Sequence, residues 1–263
     1  MKTVVYQSFR TFNVPPWIAR CMETVRAWAA AQGFAYEFYD DRFFDLAPAW
    51  YREQTRNDVL PVSDLCRLLA ARDLLKKGYQ RTIWVDADAA VFDPERFQID
   101  LSDGYAFCRE VWIGMKPDGG YYFRNSVNNA VTVFVQGNSF LEFYIDAVQS
   151  RIRNIPIIDR LDASTRFLSH LHELMHLNLL TNVGLLSPLI LADLISGRET
   201  MVKAYMVCFG SQIYAANLCS SFTGQTIDGV RMDEDVYGAA LERLLATKGD
   251  AINRFHGLKP DRG

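Results

Sequence analysis

Residues 63–94 read SDLCRLLAARDLLKKGYQRTIWVDADAAVFDP. The first fifteen form a helical stretch, Ser63 to Lys77, with Ser63 or Asp64 as its cap and Gly78 as its stop. Arg81-Thr-Ile-Trp-Val85 is an apolar β run. It ends abruptly in Asp86-Ala-Asp88. Residues two apart on an extended chain point the same way, so both carboxylates can face one site. In an open parallel sheet, ligands bind beyond the carboxyl ends of the strands, where this pair stands.

The flanks repeat the rhythm. Thr3–Gln7 is a short β-branched run, and MKTVVYQSFR reads as a strand opening a domain, not as a signal peptide. Pro15-Pro16 starts a helix, Trp17 to Gln32, which Gly33 stops. Phe34–Tyr39 alternates aromatic with polar residues, as a second strand does. This βαβαβ order predicts an α/β fold, a mostly parallel central sheet with helices on both faces. Downstream, the pattern predicts strands at Gly104–Arg109, Ala130–Val135, Thr200–Cys208 and Ile213–Tyr214, and a turn at Lys116–Gly120. Helices are predicted at Asn138–Arg151, across Ser164–Ile195 with breaks near Gly184 and Pro188, and at Glu234–Ala246. No linker interrupts the chain. It reads as one domain over 1–263, in two halves, 1–110 and 111–263.

Composition narrows the function. The 263 residues are 49% apolar and 22% charged, ordinary for a globular protein. Lys and Arg number 28 against 31 Asp and Glu, so there is no basic excess of the kind a nucleic-acid binder shows. No apolar run reaches the ~18 residues of a membrane span. Five cysteines, Cys21, Cys66, Cys108, Cys208 and Cys219, form no CxxC pair and read as reduced thiols of a cytoplasmic protein.

Two carboxylates on one side suit a hard dication, Mn²⁺ or Mg²⁺, and such an ion keeps positions open for diphosphate oxygens. Small Ala87 between them leaves room for that approach. A second Asp-x-Asp, Asp233-Glu234-Asp235, has no strand before it and stands at a helix start. It reads as a set of N-terminal caps, or as an acceptor border with Asp235 in a catalytic role. A rival motif is His172-Glu173-Leu174-Met175-His176, the HExxH of zinc peptidases, with His170 close by and Glu199 as a conceivable third ligand. The bland alternative there is an amphipathic helix with Leu171, Leu174, Met175 and Leu179 buried. A non-catalytic nucleotide- or glycan-binding protein is the remaining alternative.

The segment 63–94 resembles the GT-A glycosyltransferases that use an Asp-x-Asp motif. Asp64 and Arg67 match the Asp-x-x-Arg element of their preceding helix. The resemblance implies that Arg67 holds the nucleotide-sugar, that Asp64 contacts sugar hydroxyls, and that Asp86 and Asp88 bind the metal. The opening, Val4 to Phe9 with Val14-Pro-Pro-Trp17 and Phe34 to Asp41, is similar to the DxD-sugar family that contains initiating mannosyltransferases. That likeness places Tyr6, Gln7 and Ser8 at the nucleotide base and Asn128 or Asn129 beside the sugar. The tail, Arg254-Phe-His256-Gly-Leu-Lys259-Pro260, resembles the ending of the glycogenin-like and lipopolysaccharide galactosyltransferase family. It implies His256 as the third metal ligand and Lys259 on the donor diphosphate. The expected activity is a metal-dependent, retaining transfer of a hexose from a UDP-sugar, or from GDP-mannose, to a glycan, lipid-linked or protein acceptor.

Overall fold

The computed structural model describes residues 1–258. Its central sheet has six strands in the order β2-β1-β3-β6-β5-β7. These are β1 (Thr3–Ser8), β2 (Ala35–Tyr39), β3 (Arg81–Val85), β5 (Tyr105–Met115), β6 (Tyr121–Val135) and β7 (Leu179–Leu180). β1 runs parallel to β2 and β3, and β5 to β7, while β6 is antiparallel to both its neighbours. A smaller sheet joins β4 (Ala89–Val91) to β9 (Ala215–Asn217) and β8 (Val183–Leu185). A short hairpin, β10 (Thr226–Ile227) with β11 (Val230–Arg231), follows.

The strand pleat sorts the core. Val4, Tyr6, Trp84, Phe107 and Phe134 face one way. They pack under α2 (Ala49–Gln54), α3 (Val59–Lys76), α4 (Phe140–Asn154) and α5 (Thr165–Met175). Val5, Ile83, Val85, Val131 and Val133 face the other way, against Val25, Trp28 and Ala29 of α1 (Pro16–Ala31). A third cluster gathers α6 (Pro188–Ser196), α7 (Thr200–Phe209), α8 (Glu234–Ala246) and α9 (Asp250–Asn253) around Val111 and Ile113 of β5. Helices therefore cover both faces of the sheet, as the βαβ rhythm predicts.

Four expectations need correction, the shortest being that Ile213–Tyr214 is not a strand, since β9 begins only at Ala215. Thr200–Cys208 is helix α7, not a strand. Its buried residues Met201, Val202, Tyr205, Met206 and Phe209 recur at helical spacing. The Asp193 carboxylate accepts the Met201 N–H at 2.7 Å, and Gly210 ends the helix at φ 71°. The stretch Ser164–Ile195 is only partly helical, since β7 and β8 lie between α5 and α6. Helix α3 starts at Val59, with Asp58 accepting the Leu60 N–H at 3.1 Å. Neither Ser63 nor Asp64 is the cap, and Asp64 is instead buried in the helix body. The turn at Lys116–Gly120 holds, but the strands on either side extend into a hairpin from Tyr105 to Val135. All five cysteines are free thiols, and four are buried. Among the described residues no helix is long and apolar enough to cross a membrane.

Candidate active site

β1 and β3 end side by side, and the chain leaves β3 directly into Asp86-Ala-Asp88. The Asp86 N–H donates to the Ala130 carbonyl of β6 at 2.8 Å, which sets the pair beside Asn128 and Asn129. Above them lies a cavity of about 740 Å³, within the size range of ligand sites. Ser8, Asp64, Arg67, Asp86, Ala87, Asp88, Asn128 and Asn129 all line it.

The charges are dense and mostly buried. Arg67 Nη1 lies 3.2 Å from Asp86 Oδ1, and Arg67 Nη2 lies 3.3 Å from Asp64 Oδ1. The guanidinium also donates to the Asn129 carbonyl at 3.0 Å and sits over the Trp84 ring at 4.9 Å. Trp84 Nε1 donates to Asp86 Oδ1 at 2.6 Å. Asn129 Nδ2 donates to Asp64 Oδ1 at 2.9 Å. Burial, with the neighbouring Asp88 charge adding to it, pushes the Asp86 carboxyl up to about 7 even though Arg67 opposes the shift. Burial raises Asp64 as well.

Asp88 is fixed by groups that no sequence motif announces. Asn217 Nδ2, from β9, donates to Asp88 Oδ1 at 2.8 Å and to Asp86 Oδ2 at 3.3 Å. The Ser220 N–H donates to Asp88 Oδ2 at 2.7 Å. Asn217 Oδ1 accepts the Cys219 N–H at 2.7 Å, so the amide is locked with its donor toward the two carboxylates. Glu110 of β5 is a further buried carboxylate on the cavity wall. It accepts from Arg124 at 3.2 Å, Ser126 at 2.9 Å and Asn128 at 2.9 Å. Asn217, Ser220 and Glu110 lie in no local motif: the first two reach the pair across 129 and 132 positions through the smaller sheet, and Glu110 comes from the neighbouring strand β5, which a motif reading does not follow.

The donor set fits a hard dication. Asp64 and Asp86 share one buried guanidinium and Asp88 has no cationic partner beside it, which leaves an unbalanced negative charge in a largely buried site. Protonation of Asp86 relieves that imbalance partly. A divalent cation held by Asp86 and Asp88 relieves it fully and needs oxygen donors of this kind. Among the described residues no group of three His, Cys, Asp or Glu side chains forms a metal cluster.

Other expected residues fall elsewhere. Tyr6 and Gln7 do not line the cavity. Tyr6 points into the core and donates its hydroxyl to the Arg67 carbonyl at 2.7 Å. Gln7 donates to the Asp86 carbonyl at 3.2 Å and accepts from the Tyr36 hydroxyl at 3.0 Å, so it braces the strand ends. His256 is exposed on the turn after α9 and is not brought to the aspartate pair. Lys259 lies outside the described residues. Asp233 caps α8 by accepting the Val236 N–H at 3.0 Å, and Asp235 stands in the first turn of that helix, away from the cavity. The capping reading of this second acidic pair is the one the geometry supports.

The HExxH helix does not make a zinc site. α5 ends at Met175, and His176 takes a left-handed conformation at φ 50°. The two imidazoles are therefore not presented from one regular turn, and their rings stand perpendicular at 5.9 Å. Glu199 pairs with Lys203 and Arg254. Leu174 and Met175 are exposed, so only Leu171 of this face is buried as the amphipathic reading expected.

No protein-family model matches the chain, and no curated protein sequence matches it. Solved structures do. One is a glycosyltransferase involved in the glycosylation of the major capsid of PBCV-1, at 12% identity over 92% of this chain and 99% of that one, with a TM-score of 0.52. The PaToxG glycosyltransferase aligns at 14% identity over 99% and 88% of the two chains, with a TM-score of 0.43. Mouse xyloside xylosyltransferase 1 aligns at 12% identity over 84% and 98%, with a TM-score of 0.41. The PBCV-1 likeness spans nearly all of both chains, and what it shows is the fold: this chain has the α/β architecture of a solved glycosyltransferase.

Proposed function

We propose that the chain is a metal-dependent glycosyltransferase that moves a hexose from a nucleoside diphosphate sugar to a glycan, lipid-linked or protein acceptor. The observation that carries this reading is the Asp86–Asp88 pair at the carboxyl end of β3, Asp88 buried and Asp86 half-buried, both lining the cavity. The fold shared with a solved glycosyltransferase agrees with it.

Asp86 and Asp88 would hold Mn²⁺ or Mg²⁺, and when bound the ion supplies positive charge to a departing nucleoside diphosphate. The chain's own residues prepare that site. Asn217 and the Ser220 N–H fix the Asp88 carboxylate, and Arg67 with Trp84 fixes Asp86. Such preorganised groups cost no rearrangement during the reaction. Arg67 keeps a permanent positive charge beside the diphosphate position. Asp64, oriented by Asn129, is an acceptor for sugar hydroxyls. Retention of anomeric configuration and cytoplasmic action, at a membrane where the acceptor is lipid-linked, complete the proposal. The preference for UDP over GDP rests on the resemblance of the tail, whose His256 stands away from the cavity.

The test is donor turnover. Purified protein is incubated with Mn²⁺ and UDP-glucose, UDP-galactose, UDP-N-acetylglucosamine or GDP-mannose, and nucleoside diphosphate release is followed. Release from one donor that stops on adding EDTA and in Asp88→Asn supports the reading. Release from none of them, or release indifferent to both changes, refutes it.

A further inference from the structure

One face of the β5–β6 hairpin is built unlike the rest of the sheet. In the register of the pair, Glu110 faces Ser126, Trp112 faces Arg124 and Gly114 faces Tyr122. Strand alternation puts these six side-chain positions on one face. The opposite face carries Val111 and Ile113, which are buried against the helical cluster of α6 to α8. Glu110, Trp112, Tyr122 and Arg124 all line the cavity. The wall thus runs from the aspartate pair outward, polar at Glu110 and Asn128, then aromatic at Trp112 and Tyr122.

Gly114 explains how the aromatic end is arranged. A Cβ built there would stand 2.5 Å from the Tyr122 ring. The hydroxyl end of the ring lies over the glycine, and Tyr122 is 38% exposed. Trp112 is buried at 8% exposure, its ring 5.5 Å from that of Phe222, which also lines the cavity. Arg124, with its side chain 54% exposed, offers donors between the two aromatic positions while holding Glu110 at 3.2 Å. From Asn128 to Tyr122 the strand covers six residues, roughly 20 Å.

We propose that this wall is the acceptor subsite and that the acceptor is an oligosaccharide, one pyranose ring stacking on Tyr122 while the ring to be extended reaches toward the aspartate pair. A pyranose has an apolar C–H face and a rim of hydroxyls. A flat aromatic ring beside Arg and carboxylate groups complements both. The span of strand accommodates several linked sugars. A single small alcohol acceptor would not use it. The inference rests on the transferase reading above and names the substrate class for that site.

The test separates the two. Wild type, Tyr122→Ala, Tyr122→Phe and Gly114→Ala are applied to a glycan array in the presence of UDP and Mn²⁺, and UDP binding is measured on the same samples by calorimetry. Gly114 has an ordinary backbone conformation, and the clash of an added methyl falls on the movable end of Tyr122. Gly114→Ala therefore displaces the platform without removing it. Wild type is expected to bind oligosaccharides, Tyr122→Phe to match it, and Tyr122→Ala and Gly114→Ala to bind about tenfold more weakly, with UDP binding unchanged in all four. Intact UDP binding with no glycan captured by wild type overturns the oligosaccharide assignment. Equal capture by Tyr122→Ala overturns the placement. Failure of wild type to bind either UDP or, in a parallel titration, GDP is the failure of the transferase reading.

Discussion

Asp64 shows what burial does to one carboxyl. It is raised from its ordinary value near 4, chiefly by desolvation and against the pull of Arg67. The folded chain therefore keeps a proton there at pH values where the unfolded chain has released it. Stability from this group is gained as pH falls from above the folded value toward about 4. In metal-free buffer, wild type should rise in thermal midpoint relative to Asp64→Asn as pH is lowered from 8 to 5. A difference that stays constant, or that shrinks, contradicts the direction. Asp88 makes a different demand. Both its oxygens accept hydrogen bonds, from Asn217 and from the Ser220 N–H. Asp88→Asn turns one acceptor into a donor facing a donor, at a cost of about 1–3 kcal/mol. The variant should melt a few degrees lower but cooperatively, and should lose Mn²⁺-dependent turnover entirely. Full turnover in that variant would exclude a metal role for Asp88. At this scale the sequence was readable where residues are neighbours, as in Asp86-Ala87-Asp88 and Asp64 with Arg67. Asn217 and Glu110 were not, because an isolated Asn in Ala-Ala-Asn carries no signal until β9 pairs with β4 and Ala89 meets Asn217.

Arg67 ties elements together. It projects from α3 to Asp86 after β3 and to the Asn129 carbonyl on β6. Arg67→Met would leave buried Asp64 and half-buried Asp86 without their cation, a loss of about 3 kcal/mol, the low end for a broken buried pair. Urea unfolding should show it as a lower midpoint at unchanged slope. A change under about 1 kcal/mol would mean that the two carboxyls are already neutral in the native state. The helix α5 offers the reverse prediction. His176→Ala alters an exposed residue at a left-handed helix end, so thermal stability and donor turnover should stay at wild-type levels. Loss of turnover at unchanged stability would bring the histidines back into the chemistry. Elements also show where pattern reading stops. Helix α1 and strands β1 to β3 have clear starts, stops and periods. Helix α7 reads as a strand because Met, Val, Tyr and Cys dominate Thr200–Cys208, although their buried members fall at helical spacing. The outer part of the hairpin, with Tyr121, Tyr122 and Phe123 exposed, has no polar alternation to announce it.

On the scale of the molecule, the sheet puts the ends of β1 and β3 beside the middle of β6, and the smaller sheet brings Asn217 and Ser220 in from the distal part of the chain. The site is thus closed by residues from both halves of the sequence. That explains why the motif on which the proposed function rests lies within the N-terminal half while the fixing of the carboxylates stayed hidden. The C-terminal tail marks the limit of resemblance. His256 carries the right residue type but stands away from the pair, and nothing in a local motif encodes that distance. The proposed chemistry rests on a metal-and-diphosphate site at Asp86 and Asp88. Its most direct test is titration calorimetry of metal-stripped protein with UDP, with and without Mn²⁺, GDP serving as the comparison ligand. Binding of one nucleotide that appears only with Mn²⁺ is the predicted result, and the preferred base then names the donor class. Absence of binding by either nucleotide in the presence of Mn²⁺, or equal binding without it, contradicts the account.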